Sequence, residues 1–139
     1  RFGTSFDSVP YGSGYFGGAI SLSLAGGFDQ LEIYDGISPD ARQWTFTGNT
    51  VRCNGQWPIT SSTFLEAHIY GTDHADSFMF NSVGPNWAVY ADGRAGNDTF
   101  TNGTANDIDA AFGSSAPLLT GGAGIDSLFL GDTSDHSGS

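Results

Sequence analysis

The sequence predicts an all-β chain, a right-handed parallel β-solenoid of about five coils with Gly/Asp-rich corners. Three observations carry that prediction. Short runs alternate apolar and polar residues between Gly, Asn and Asp. Windows favouring a helix are nearly absent, because glycine, 21 of 139 residues, interrupts almost every stretch of ten. Finally, one Gly-turn-Asp-apolar unit recurs in register along the chain.

The alternating runs come in order. Residues 1–18 form a Gly/aromatic-rich N-terminal segment, in which PYGSGYFGG reads as a flexible entry. The solenoid is expected over 19–132, and 133–139 is a polar tail. AISLSL from Ala19, QLEIY from Gln30, WTFT from Trp44 and FLEAHIY from Phe64 each read as a half-buried strand. The recurring unit then appears as IYGTDHADSFMF from Ile69, ADGRAGNDTFTN from Ala91 and LTGGAGIDSLFL from Leu119. Aligned, Asp76, Asp98 and Asp126 coincide, preceded by Gly71, Gly93 and Gly121 and followed by Phe78, Phe100 and Leu128. A weaker fourth copy aligns Asp29 and Leu31, with WTFTG and TVRC read as a degenerate rung between it and Asp76. The mean interval of about 24 residues suits one solenoid coil. A Greek-key sandwich would also space its strands regularly, but it does not require the same turn to recur in register.

Composition narrows the function. Fifteen acidic residues stand against four arginines and no lysine, a net charge of −11. Such a chain cannot neutralise a phosphate backbone, so nucleic-acid binding is excluded, and anionic membranes are disfavoured. No apolar run is long enough for a membrane-spanning helix. The single cysteine, Cys53, allows no internal disulfide and is expected to be a small buried residue. The start at Arg1, without Met or a signal peptide, is read as that of a mature or excised piece of a longer precursor.

Stacked corners would set the three aspartates about 4.8 Å apart, a repulsive column unless something positive lies between its members. Glycine lets a turn aim its carbonyls inward, and calcium takes six to eight oxygens of the kind that carbonyls and carboxylates supply. The metal-free alternative is a set of Gly/Asx turns whose aspartates cap backbone amides. GGAGID at 121–126, followed by Ser127-Leu128-Phe129, fits the nonapeptide GGxGxDxUx and resembles the RTX family of secreted calcium-binding β-rolls. GRAGND at 93–98 keeps two of the three glycines, and GTDHAD at 71–76 keeps one. The resemblance implies calcium between Asp98 and Asp126, with Gly93, Gly96, Gly121 and Gly124 shaping the turns. It also implies an ion between Asp76 and Asp98, with Asp73 or Asp92 as an added carboxylate.

Other chemistry is thinly represented. His68, His74 and His136 lack zinc spacing, and no Gly-x-Ser-x-Gly elbow occurs. Glu32 and Glu66 lie in alternating strands, too little to predict an enzyme, and no catalytic residue is expected. Asn97-Asp98-Thr99 and Asn102-Gly103-Thr104 match the glycosylation pattern but read as incidental. Trp44 and Trp87 are expected in core packing, whereas Trp57-Pro58 reads as an exposed loop and a candidate polysaccharide or partner contact.

These readings converge on a calcium-stabilised, non-enzymatic extracellular or cell-surface module. It is expected to self-associate end to end or by strand insertion, as a surface-layer, adhesin or filament subunit. The alternative is a non-catalytic accessory β-module of a secreted polysaccharide-acting enzyme or protease.

Overall fold

The computed structural model describes residues 3–6, 20–22, 29–35, 38–54, 58–62, 65–103, 107–113 and 115–133. Its strands are β1 (Gly3–Phe6), β2 (Ile20–Leu22), β3 (Asp29–Tyr34), β4 (Gln43–Thr47), β5 (Thr50–Cys53) and β6 (Ile59–Ser61). They continue as β7 (Leu65–Tyr70), β8 (Ser77–Phe80), β9 (Trp87–Asp92), β10 (Thr99–Thr101), β11 (Leu118–Thr120) and β12 (Ser127–Phe129). A single-turn helix, α1 (Ile108–Phe112), sits between β10 and β11.

The strands form two sheets. One is five-stranded, in the order β1-β3-β7-β9-β11, and parallel throughout. The other is seven-stranded, in the order β12-β10-β8-β4-β5-β6-β2, and mixed. This corrects the expected right-handed parallel β-solenoid of about five coils. The antiparallel pairings have a physical cause. Gly48 adopts φ +57°, where glycine is favoured, and Gly48-Asn49 closes a two-residue turn. β4 and β5 therefore pair antiparallel, Trp44 opposite Cys53, and β6 returns antiparallel to β5. The stretch expected to be one degenerate rung is a hairpin.

The weak fourth repeat is corrected too. Asp29 opens β3 in the parallel sheet, in register with Leu65. The corner position corresponding to Asp76 belongs to Arg42, whose neighbour Gln43 pairs with Ser77. The helix likewise escaped the periodicity. Asp107 caps it, its carboxylate accepting from the Ala110 amide at 3.0 Å, and Ala111 is buried.

Between the sheets lies one apolar core. The parallel sheet contributes Leu31, Ile33, Ala67, Ile69, Trp87, Val89 and Ala91; the mixed sheet contributes Trp44, Phe46, Val51, Ile59, Phe78, Phe80 and Phe100. Parallel register turns these into rows. Trp44, Phe78, Phe100 and Leu128 are successive partners, as are Ile33, Ile69, Ala91 and Leu119. Rings stack along the rows, Phe78 on Phe100 at 5.0 Å and Phe46 on Phe80 at 4.7 Å. Trp44 and Trp87 belong to this core, and Trp57 lies outside the described residues. Burial, above all other causes, pushes the Cys53 thiol up to about 12, so it holds no appreciable thiolate at neutral pH.

Candidate functional site

Each passage from the parallel sheet to the mixed sheet makes a corner, and the three repeated aspartates stand at the ends of those corners. Their order follows from the register of the strands that begin one residue later: Ser77 pairs with Thr99, and Thr99 with Ser127. The structure brings Asp76, Asp98 and Asp126 into one column. Asp76 and Asp98 are buried, while Asp126 is exposed.

The carboxylates are linked through the backbone. The Arg42 amide donates to Asp76 Oδ1 at 2.6 Å, the Asp76 amide to Asp98 Oδ1 at 2.8 Å, and the Asp98 amide to Asp126 Oδ1 at 2.9 Å. The same residues also bond through the main chain: the Thr99 amide donates to the Asp76 carbonyl at 2.9 Å and the Ser127 amide to the Asp98 carbonyl at 2.8 Å. Each aspartate thus spends one oxygen on the corner before it. This relay satisfies buried amides that the turns leave without sheet partners.

The second oxygen explains the glycine five residues earlier. A β-carbon on Gly71, Gly93 or Gly121 would lie 2.3, 2.0 or 2.1 Å from Oδ2 of Asp76, Asp98 or Asp126 respectively. Only a residue without a side chain leaves that room. Gly96 and Gly124 serve contact between corners instead. A β-carbon on Gly96 would meet the His74 carbonyl at 2.4 Å, and one on Gly124 the Gly96 carbonyl at 1.7 Å.

The two buried aspartates differ at Oδ2. For Asp76 it accepts from the Thr72 amide at 2.5 Å, while the Thr72 hydroxyl donates to Oδ1 at 2.9 Å. At the next corner Arg94 replaces Thr72, with φ +73°, and its amide donates to Asp92 Oδ1 at 2.9 Å. Asp98 Oδ2 is left buried without a hydrogen-bond partner. Burial pushes this carboxyl up to about 6, and the charges of Asp76, Asp126 and Asp92 act the same way against the Asp76 amide.

Calcium fits these corners unequally. At Asp76 both carboxylate oxygens are held by protein donors, so that corner offers no spare carboxylate oxygen. Asp73 is exposed beside it, 3.7 Å from the Arg94 guanidinium. At Asp98 the orphan Oδ2 and the Gly121 carbonyl lie 2.0 and 2.8 Å from the point a β-carbon on Gly93 would occupy. Asp98 Oδ2 is thus a buried carboxylate oxygen that no protein donor occupies, the donor type a hard cation takes. Among the described residues no three His, Cys, Asp or Glu side chains form a metal-binding group, so carbonyls and water would complete any such shell.

Two features escaped the sequence reading. Asn102, noted in the sequence only for a glycosylation pattern, is buried at the opposite turn and clamps Gly131, donating to its carbonyl at 2.6 Å and accepting from its amide at 2.9 Å. On the outer face of the parallel sheet, alternation places Glu32, Tyr34, Glu66, His68, Tyr70, Tyr90 and Asp92 together. Tyr34 stacks on Tyr70 at 4.2 Å and His68 on Tyr90 at 4.3 Å, while His68 Nε2 lies 2.6 Å from Glu66 Oε1. Strand alternation marked those positions as one face, but not which face turned outward.

The fold and the column define a mostly β protein with one parallel and one mixed sheet, tied at a corner by an aspartate relay. No known family model matches the chain, and no curated protein or solved structure is detectably similar to it.

Proposed function

We propose that this chain is a structural, non-catalytic module that assembles through the open end formed by β11 and β12, at the cell surface or outside the cell. One observation carries the reading. Among the described residues β11 pairs only with β9 and β12 only with β10, and Leu118, Leu128, Phe129 and Leu130 at that end are exposed. Leu128 occupies the core row of Phe78 and Phe100, yet it is 57% exposed. Edge strands with bare apolar residues are the form that β-pairing with another chain takes. Calcium at the Asp98–Asp126 corner would stiffen the last turn before that end, and the GGAGID motif supports placing it there. Substituting Leu128→Lys with Phe129→Lys tests the reading by sedimentation. Association that grows with concentration and disappears in the variant is the expected result; a wild-type protein that stays monomeric at every concentration overturns it.

The outer tyrosine and histidine stacks favour a second reading, an accessory module contacting a neutral polysaccharide. Ring edges, hydroxyls and carboxylates there suit a polyhydroxylated chain, and the net charge of −11 disfavours an anionic one. Affinity electrophoresis in neutral glucans, with Tyr34→Ala and Tyr90→Ala, tests it; retardation lost in the variants supports it.

A further inference from the structure

We infer that the outer face of the parallel sheet binds a linear polysaccharide whose sugars carry free amines, laid across β3, β7 and β9. The inference rests on the polysaccharide reading of that face and changes the ligand from a neutral polymer to a cationic one.

The sorting of charge is the first ground. No strand of the mixed sheet contains Asp or Glu. In the parallel sheet, by contrast, β3, β7 and β9 each turn one carboxylate outward: Glu32, Glu66 and Asp92. Charge that served solubility alone would have no reason to avoid one sheet. Among the described residues no arginine side chain pairs with these three. Arg42 pairs with Asp35 and Arg94 with Asp73, Arg52 lies on the mixed sheet, and the chain has no lysine. Glu32 accepts from the Gln30 side-chain amide at 2.9 Å, Glu66 Oε1 lies 2.6 Å from His68 Nε2, and Asp92 Oδ1 accepts from the Arg94 backbone amide. The charge that complements this face has to come from a partner.

Spacing selects a polymer over a single ion. Register sets Glu66 level with Gln30, Glu32 level with His68, and Asp92 level with Tyr34 and Tyr70. Neighbouring strands lie about 4.8 Å apart and successive outward levels about 6.6 Å apart, so the three positions spread over roughly 8–14 Å. They belong to no group of side chains that could hold one metal ion. Amines strung along a chain that crosses the strands reach all three.

The neutral groups between them suit a sugar. Tyr34 stacks on Tyr70 and His68 on Tyr90, so ring faces are largely spent on each other while edges and hydroxyls line the surface. Burial, then the hydrogen bond with Tyr34, pushes the Tyr70 phenol up to about 12, and the charges of Glu32 and Asp92 act in the same direction. The face is thus negative where its hydroxyls stand. Hydroxyls beside carboxylates match a ligand with hydroxyls beside amines, whereas a lysine-rich peptide would use the charge alone.

The full chain is titrated in calcium-free buffer at about pH 5.5, where ordinary carboxylates are ionised, and followed by its amide chemical shifts. The probes are a glucosamine hexasaccharide, its N-acetylated form, a neutral glucan of equal length, and hexalysine. Glu32→Gln with Glu66→Gln is compared with Asp109→Asn with Asp132→Asn, which removes the same charge from exposed positions in α1 and beyond β12. Wild type is expected to bind the glucosamine oligomer about tenfold tighter than either neutral sugar, with shifts in β3, β7 and β9. The Glu32/Glu66 variant loses that margin and the Asp109/Asp132 variant keeps it. Equal affinity for the three sugars overturns the amine and leaves the polysaccharide reading standing; binding of no sugar overturns both. An equal loss in the two variants, or hexalysine bound as tightly as the amine sugar, shows attraction by charge alone and overturns the inference. Melting curves matching wild type confirm that each variant is folded.

Discussion

Replacing Asp98 by asparagine separates the work of its two oxygens. The substitution keeps Oδ1 as acceptor for the Asp76 amide and puts an amide donor where the orphan Oδ2 now lies, near the Gly121 carbonyl. The magnitude follows from linkage. The carboxyl is raised from 3.8 to about 6. At 1.36 kcal/mol per unit this is a destabilisation of about 3 kcal/mol once the group is ionised. Because the folded value lies above the unfolded one, the stabilising contribution is complete below pH 3.8 and is lost as pH rises through about 6. In chelator, this group makes the wild-type protein gain stability as pH falls from 7 toward 4, and Asp98→Asn removes that gain. At pH 7 the variant should melt roughly 10 °C higher, with the two curves converging near pH 4. The assay is thermal unfolding by circular dichroism from pH 4 to 8, with excess chelator and again with millimolar calcium. Calcium should raise the wild-type midpoint and leave the variant unmoved. A variant less stable than wild type at pH 7 in chelator would refute the reasoning about the orphan oxygen. Equal calcium shifts in both proteins would remove the ion from this corner.

Three further outcomes follow from the same geometry. Thr72→Val removes the hydroxyl that donates to Asp76 Oδ1 while keeping shape, and should cost about 1–2 kcal/mol in urea unfolding with an unchanged slope. Gly93→Ala puts a β-carbon 2.0 Å from Asp98 Oδ2 and 2.8 Å from the Gly121 carbonyl, a loss of about 2–3 kcal/mol. Gly48→Ala, with open space but φ +57°, should lose only about 1 kcal/mol, and equal losses would count against the close-approach account. Asn102→Ala deletes both bonds to Gly131; amide exchange in β12 should accelerate while exchange in β7 stays slow, and unchanged β12 protection contradicts the clamp.

The aspartate column was legible because its chemistry is local. A carboxylate that reaches back over its own turn needs a glycine at a set distance, so the Gly71/Asp76, Gly93/Asp98 and Gly121/Asp126 pairs stand at one spacing. The row of Phe78, Phe100 and Leu128 follows from the same alignment. What the sequence concealed was non-local. Gly48-Asn49 between two alternating runs is a hairpin signal, but a rung-by-rung reading treats both runs as rungs. Arg42 holds the Asp76 position through its backbone amide, which any residue other than proline could supply, so nothing in its side chain announces the role. Thr72 looked like a decayed glycine and turned out to be the donor that occupies Asp76.

The relay also has a direction. Every link runs from an amide to a carboxylate on the corner that follows in the chain, from Arg42 through Asp76 and Asp98 to Asp126. Arg42 can begin such a series but cannot continue it backward, since its side chain offers no acceptor. A chain drawn off from its C-terminal side would lose the corners one at a time. Each departure removes one carboxylate and bares one amide in the corner that remains. Each corner drawn off in this way gives up one link of the relay together with its share of the stacked core rows.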